Sequence, residues 1–156
     1  MELTPDELAG VVDVVGPVTR AELERACGEL AFKRGEAVDD AAVDIEAALS
    51  EYYLVAVTDH DATAEAPLLV VGPAAFPDLP DGTEDLPHIL DVPGRELSQT
   101  VIATAAEGRF RSDAAAAVGA GDPERIETLL DVSYDLEAWG PVDLETARTR
   151  LDDATH

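Results

Sequence analysis

Apolar residues recur at helical spacing in three short stretches at the start of the chain, and the period then changes. Leu8, Val11, Val12 and Val15 fall at i, i+3, i+4 and i+7, which places them on one face of an α-helix. Thr4-Pro5-Asp6-Glu7 precedes them with three start signals. Thr4 can accept from the first free amides, Pro5 suits the first helical position, and Glu7 completes a capping box. Gly16-Pro17 ends that element, and Thr19-Arg20-Ala21-Glu22 repeats the box. Leu23, Ala26, Cys27 and Leu30 then repeat the apolar spacing, with Gly35 as a stop. A third helix is predicted from near Asp39, with Val38 stapled onto Val43 and Ile45, Ala48, Leu49 and Tyr52 as its stripe.

Tyr53-Leu54-Val55-Ala56-Val57 and Leu68-Leu69-Val70-Val71 are short, apolar and β-prone, and the polar stretch Thr58 to Pro67 lies between them. They predict a hairpin. The junction Val14-Val15-Gly16-Pro17-Val18-Thr19-Arg20-Ala21-Glu22-Leu23 resembles the turn between the first and second helices of winged-helix proteins. The order of three helices and a hairpin matches that family over about half of the chain. The resemblance implies a third helix able to enter the major groove and a hairpin acting as the wing.

The next stretch holds Pro73, Pro77, Pro80, Pro87 and Pro93 together with Phe76, Leu79, Leu86, Ile89, Leu90 and Val92. A flexible linker has no use for six sizeable apolar residues, so an ordered, irregular strap is expected. Beyond it, a helix is predicted from about Glu96 to Val118 through Leu97, Val101 and Ala105, and Gly119-Ala120-Gly121 turns the chain. Asp122-Pro123 starts a second helix with Ile126, Leu129, Leu130, Val132, Leu136 and Trp139 on its inner side. Gly140-Pro141 stops it, and Asp143 caps a last helix through Leu144, Ala147 and Leu151. The expected fold is α+β and mostly α. It comprises a winged-helix-like unit over 1–72, a Pro-rich strap over 73–95 and a helical unit over 96–156, packed as one body.

Charge changes this picture most. The 156 residues include 34 Asp plus Glu against 10 Lys plus Arg, for a formal net charge of -24. Lys33 is the single lysine. Disordered acidic tails are poor in aliphatics and carry charges in blocks. Here 46% of residues are hydrophobic and the acids are interspersed, so a folded domain with an acidic surface is expected. A domain of this size exposes roughly 7,500 Å², so the acids sit on the order of 15 Å apart. The Debye length is about 10 Å at 0.1 M salt and about 3 Å at 1 M. Their repulsion is therefore felt in dilute buffer and nearly abolished in brine, a recognised halophile lever. As a whole, the chain resembles small, acidic, uncharacterised proteins of salt-loving archaea. That resemblance implies a salty cytoplasm and transfers no activity. No signal pattern follows Met1, no apolar run approaches the ~18 residues of a membrane span, and Cys27 has no partner for a disulfide.

Residues 36 to 94 contain fourteen acids and no Lys or Arg. That span includes the third helix, with Asp39, Asp40, Asp44 and Glu46, and the hairpin. Duplex affinity comes largely from cations neutralising phosphates, and base readout draws on Arg, Lys, Asn or Gln. The chain has no Asn and only Gln99. Nucleic acid is accordingly a poor fit. Arg20, Arg25, Lys33 and Arg34 cluster in the first 35 residues, where seven acids face four bases. They mark the second helix as the least repulsive surface for a partner.

The remaining chemistry is thin. Asp59-His60-Asp61 and Glu84-Asp85 near His88 and Asp91 put carboxylates beside imidazoles, as some metal sites do. In so acidic a chain this is expected from composition alone, and no metal or cofactor is expected. No Gly-x-Ser-x-Gly elbow, Walker loop or dinucleotide fingerprint occurs. The expected function is a non-enzymatic protein-interaction module, with partner binding or self-association. The alternatives are a winged-helix transcription regulator and, more remotely, a small metal-dependent enzyme.

Overall fold

The computed structural model describes residues 3–33, 41–58, 66–79, 86 and 95–154. Among these, six helices and one antiparallel hairpin form an α+β, mostly α chain that divides into two compact units, Met1–Leu97 and Ser98–His156.

In the first unit, α1 spans Pro5–Val15, α2 spans Arg20–Lys33 and α3 spans Ala41–Ser50. Both capping boxes form. Thr4 Oγ1 accepts from the Glu7 amide at 3.1 Å while Glu7 Oε1 accepts from the Thr4 amide at 3.0 Å. Thr19 and Glu22 repeat this exchange at 3.2 and 2.9 Å. Four residues of each helix start thus specify where it begins.

β1 (Leu54–Val57) pairs antiparallel with β2 (Leu68–Val71), Leu54 opposite Val71 and Val57 opposite Leu68. Val18, in the turn between α1 and α2, adds a bridge to Leu69 through reciprocal backbone hydrogen bonds of 3.3 and 2.6 Å. α1 packs on β2 and α3, and α2 packs on α1 and α3. The core between them holds Leu8, Val11, Leu23, Leu30, Ile45, Leu54 and Leu69. Cys27 is buried there, as its place on the apolar stripe predicts.

The α3–β1 turn is tight for a reason the apolar pattern does not carry. Tyr52 takes φ +66, a left-handed conformation that costs a residue with a Cβ roughly 1–2 kcal/mol. Burial of its ring at 1% exposure offsets that cost. The end of β2 returns against this turn, with the Ala74 amide donating to Tyr52 O at 3.0 Å. A Cβ at Gly72 would lie 2.3 Å from Tyr52 O, so only glycine fits.

The strap is described at its start, at Leu86 and at Arg95. Its start is tied to α1: the Phe76 amide donates to Asp6 Oδ1 at 2.9 Å and the Asp78 amide to Asp6 O at 3.0 Å. It crosses α1 at Gly10, where a Cβ would meet Asp78 O at 2.1 Å. Leu86 is fully buried in the core, whereas Phe76 and Leu79 are exposed. Not all the strap's apolar residues therefore face inward. Ile89, Leu90 and Val92 lie outside the described residues, as do His60, His88 and His156.

The second unit is a three-helix arrangement of α4 (Gln99–Ala120), α5 (Pro123–Trp139) and α6 (Glu145–Ala154), each packed on the other two. α4 begins three residues later than the pattern suggests, because Ser98 caps it by accepting from the Val101 amide at 3.2 Å. Its buried stripe also has a different phase from Leu97, Val101 and Ala105. The inner residues are Ala103, Ala106, Phe110, Ala114 and Ala117. A helix so rich in alanine gives little periodic contrast from which to read a face. Gly121, at φ +62, closes α4 in the left-handed cap that glycine favours. α5 buries Ile126, Leu129, Val132, Ser133 and Leu136. Arg148 joins α6 to α5: its Nε donates to Ser133 Oγ at 3.0 Å, its Nη2 pairs with Glu137, and its guanidinium lies 4.3 Å from the Tyr134 ring centre.

Candidate functional site

α2 is fixed at its N-terminus by more than its cap. Glu22, which closes the capping box, also receives Arg95 in a two-pronged ion pair. Nη1 reaches Oε1 at 2.5 Å and Nη2 reaches Oε2 at 3.1 Å. The same Nη1 donates to Pro17 O at 3.2 Å. The side chains are only 7% and 15% exposed, so the pair is largely shielded from salt. The hydrogen bond from Arg95 is the main cause that holds the Glu22 carboxyl below its ordinary range; Thr19 adds to it, and burial opposes it. One carboxylate thus starts α2 and anchors the end of the strap, 73 residues later in the chain.

With its inner stripe buried and its start clamped, α2 presents Ala21, Arg25, Gly28 and Phe32 to solvent. These positions lie at i, i+4, i+7 and i+11 and form one narrow stripe. It contains no acid. Phe32 is 80% exposed, and a Cβ at Gly28 would meet nothing within 4 Å. Glu24 and Glu29 flank the stripe, half-buried.

The four cations singled out in the sequence do not act alike. Arg20 is half-buried and ion-paired to Glu46 of α3, which joins α2 to α3 rather than leaving a free charge. Arg25 stands on the exposed stripe and makes no ion pair among the described residues; its i+4 neighbour Glu29 does not engage it. The Lys33 side chain and Arg34 lie outside the described residues. Phe32 is the residue the charge argument missed. Its signal was its phase: it falls two positions after Leu30, on the side opposite the buried stripe.

In the second unit a groove of about 830 Å³ runs between α4 and α6, floored by Ala114, Ala115, Ala147 and Ala154 and also lined by Arg111, Arg150 and Asp153. Arg111 pairs with Glu107 at 2.5 Å. Among the described residues, no group of three or more His, Cys, Asp or Glu is placed to hold a metal ion. No helix among them is long and apolar enough to cross a membrane.

No curated protein and no solved structure matches the chain. The model of a family of unknown function, DUF7109, matches residues 6–156, and the chain belongs to that family.

Proposed function

We propose that the chain is a salt-adapted, non-enzymatic protein-interaction module of the cytoplasm that meets its partner through the exposed face of α2. The observation that carries this reading is the acid-free stripe Ala21, Arg25, Gly28 and Phe32 in a chain of net charge -24. A phenylalanine 80% exposed beside an open glycine and an arginine is the composition of an interface core: aromatic and Arg are enriched there, and acids are depleted. The acidic remainder of the surface keeps the protein soluble in brine and repels phosphate.

A second reading, DNA recognition, is favoured by the order of three helices and a hairpin, the order of the winged helix that the chain resembles. It is disfavoured by the absence of any Lys or Arg from 36 to 94. Two measurements in about 2 M KCl separate the readings. Affinity capture with wild-type and Phe32→Glu protein should show a defined protein lost from the variant. Fluorescence anisotropy with labelled duplexes should show no sequence-selective binding. Selective duplex binding by the isolated chain rejects the proposal.

A further inference from the structure

Building on the α2 reading, we infer that the occupant of this face is a second copy of the chain, docked with its α2 antiparallel to the first. The spacing along the stripe, four then three then four residues, reads the same in both directions. Antiparallel pairing about its midpoint places Phe32 of each copy over Ala21 of the other, and Arg25 over Gly28. Large side chains meet small ones at every position. At Gly28 the absence of a Cβ lets the backbones approach to the short end of the usual 8–10 Å interaxial range.

Charge complements this register. Arg25 and Glu29 make no ion pair within one copy among the described residues. With about 1.5 Å rise per residue, the antiparallel register brings Arg25 of one copy to within about one residue's rise of Glu29 of the other, twice over by symmetry. An interface of this kind is isologous, the commonest form of self-association.

The stripe is about 16 Å long, so it buries less than the ~1,200 Å² of a stable complex. The dimer is consequently weak and concentration-dependent. Each copy also carries a formal charge of -24, and their repulsion opposes contact until salt shortens the Debye length. Salt also weakens the two Arg25–Glu29 pairs, which set the register, but the repulsion between two copies of charge -24 outweighs them, so association strengthens with salt.

Sedimentation velocity of the full chain at about 0.2 mM tests the inference. Wild-type protein is expected to dimerise near 3 M KCl and to shift toward monomer as salt is lowered over the range in which far-UV CD shows it folded. Phe32→Glu, a change at an exposed site, should weaken the dimer at least about tenfold with an unchanged far-UV CD spectrum. The register is read by a short thiol cross-linker. Gly28→Cys should link to its own copy, since the two sites lie about 4.5 Å apart along the axis, and Ala21→Cys, about 16 Å apart, should not. A monomer near 3 M KCl overturns the inference, as does a dimer insensitive to Phe32→Glu or one linked equally through both cysteines. If the chain is monomeric while Phe32→Glu still removes a captured protein, the α2 reading stands and the second-copy inference falls. If Phe32→Glu alters neither, both fall.

Discussion

Arg95→Met removes a charge from the most enclosed ion pair among the described residues while keeping much of the side-chain volume. The guanidinium is 7% exposed and meets both Glu22 oxygens, at 2.5 and 3.1 Å. Its Nε is buried without a hydrogen-bond partner, so the pair already bears one unsatisfied donor. Deleting one member of a buried pair costs about 3–5 kcal/mol, mostly from stranding the other charge. Glu22 keeps its hydrogen bond from the Thr19 amide at 2.9 Å and some contact with water, which puts Arg95→Met near the lower end, about 3 kcal/mol. Glu22→Gln retains the capping geometry, because glutamine also serves at that position. It strands the guanidinium instead, at about 3–4 kcal/mol. The double variant should lose markedly less than the sum of the two, since neither charge is then left alone. Urea unfolding followed by far-UV CD in about 2 M KCl measures all three. Single-variant losses below about 1 kcal/mol, or losses that simply add, would refute the reasoning.

The same pair sets an acid limit. Because Arg95 lowers the folded-state pKa of Glu22, its stabilisation is present above the ordinary carboxylate range and is lost as pH falls through the lowered value; in Arg95→Met the acid arm of a stability–pH curve should flatten. Dialysis from molar KCl to low salt should abolish much of the far-UV CD signal, and full structure retained near 50 mM would contradict the salt-adapted reading. By the same urea unfolding, Gly72→Ala should destabilise the first unit by about 1–3 kcal/mol, because the new methyl meets Tyr52 O; Gly28→Ala, with open space around it, should be neutral or slightly stabilising. Leu136→Ala, at a fully buried site of α5, should cost about 2–5 kcal/mol by the same urea assay.

The helices of the first unit were legible because their signals agree at several levels. Thr4 to Glu7 and Thr19 to Glu22 name the starts, and Leu8, Val11, Leu23 and Leu30 name the inner faces. The hairpin was legible from two short apolar runs. What the pattern could not carry is contact between distant residues. Arg95 reads as an isolated cation after a Pro-rich stretch, and nothing local says that it closes on Glu22. Arg20, counted as part of a basic surface, is instead joined to Glu46 by tertiary packing. α4 failed in phase because alanine gives similar hydropathy on every face, so Phe110 and the caps had to decide. Arg148 on Tyr134 and Ser133 is likewise a meeting of two helices, visible only once α5 and α6 are side by side. Within the candidate site, charge singles out α2, and the exposed phase of Phe32 marks the face proposed for partner contact.

Site-specific photocrosslinking from position 28, carried out in cells at their native salt, tests that face most directly. A photoreactive side chain at Gly28 is predicted to form a discrete protein adduct, and the same group at Glu127 on the exposed side of α5 is predicted to form none. Equal labelling from both positions, or none from position 28, would contradict the assignment of α2 as the interaction surface.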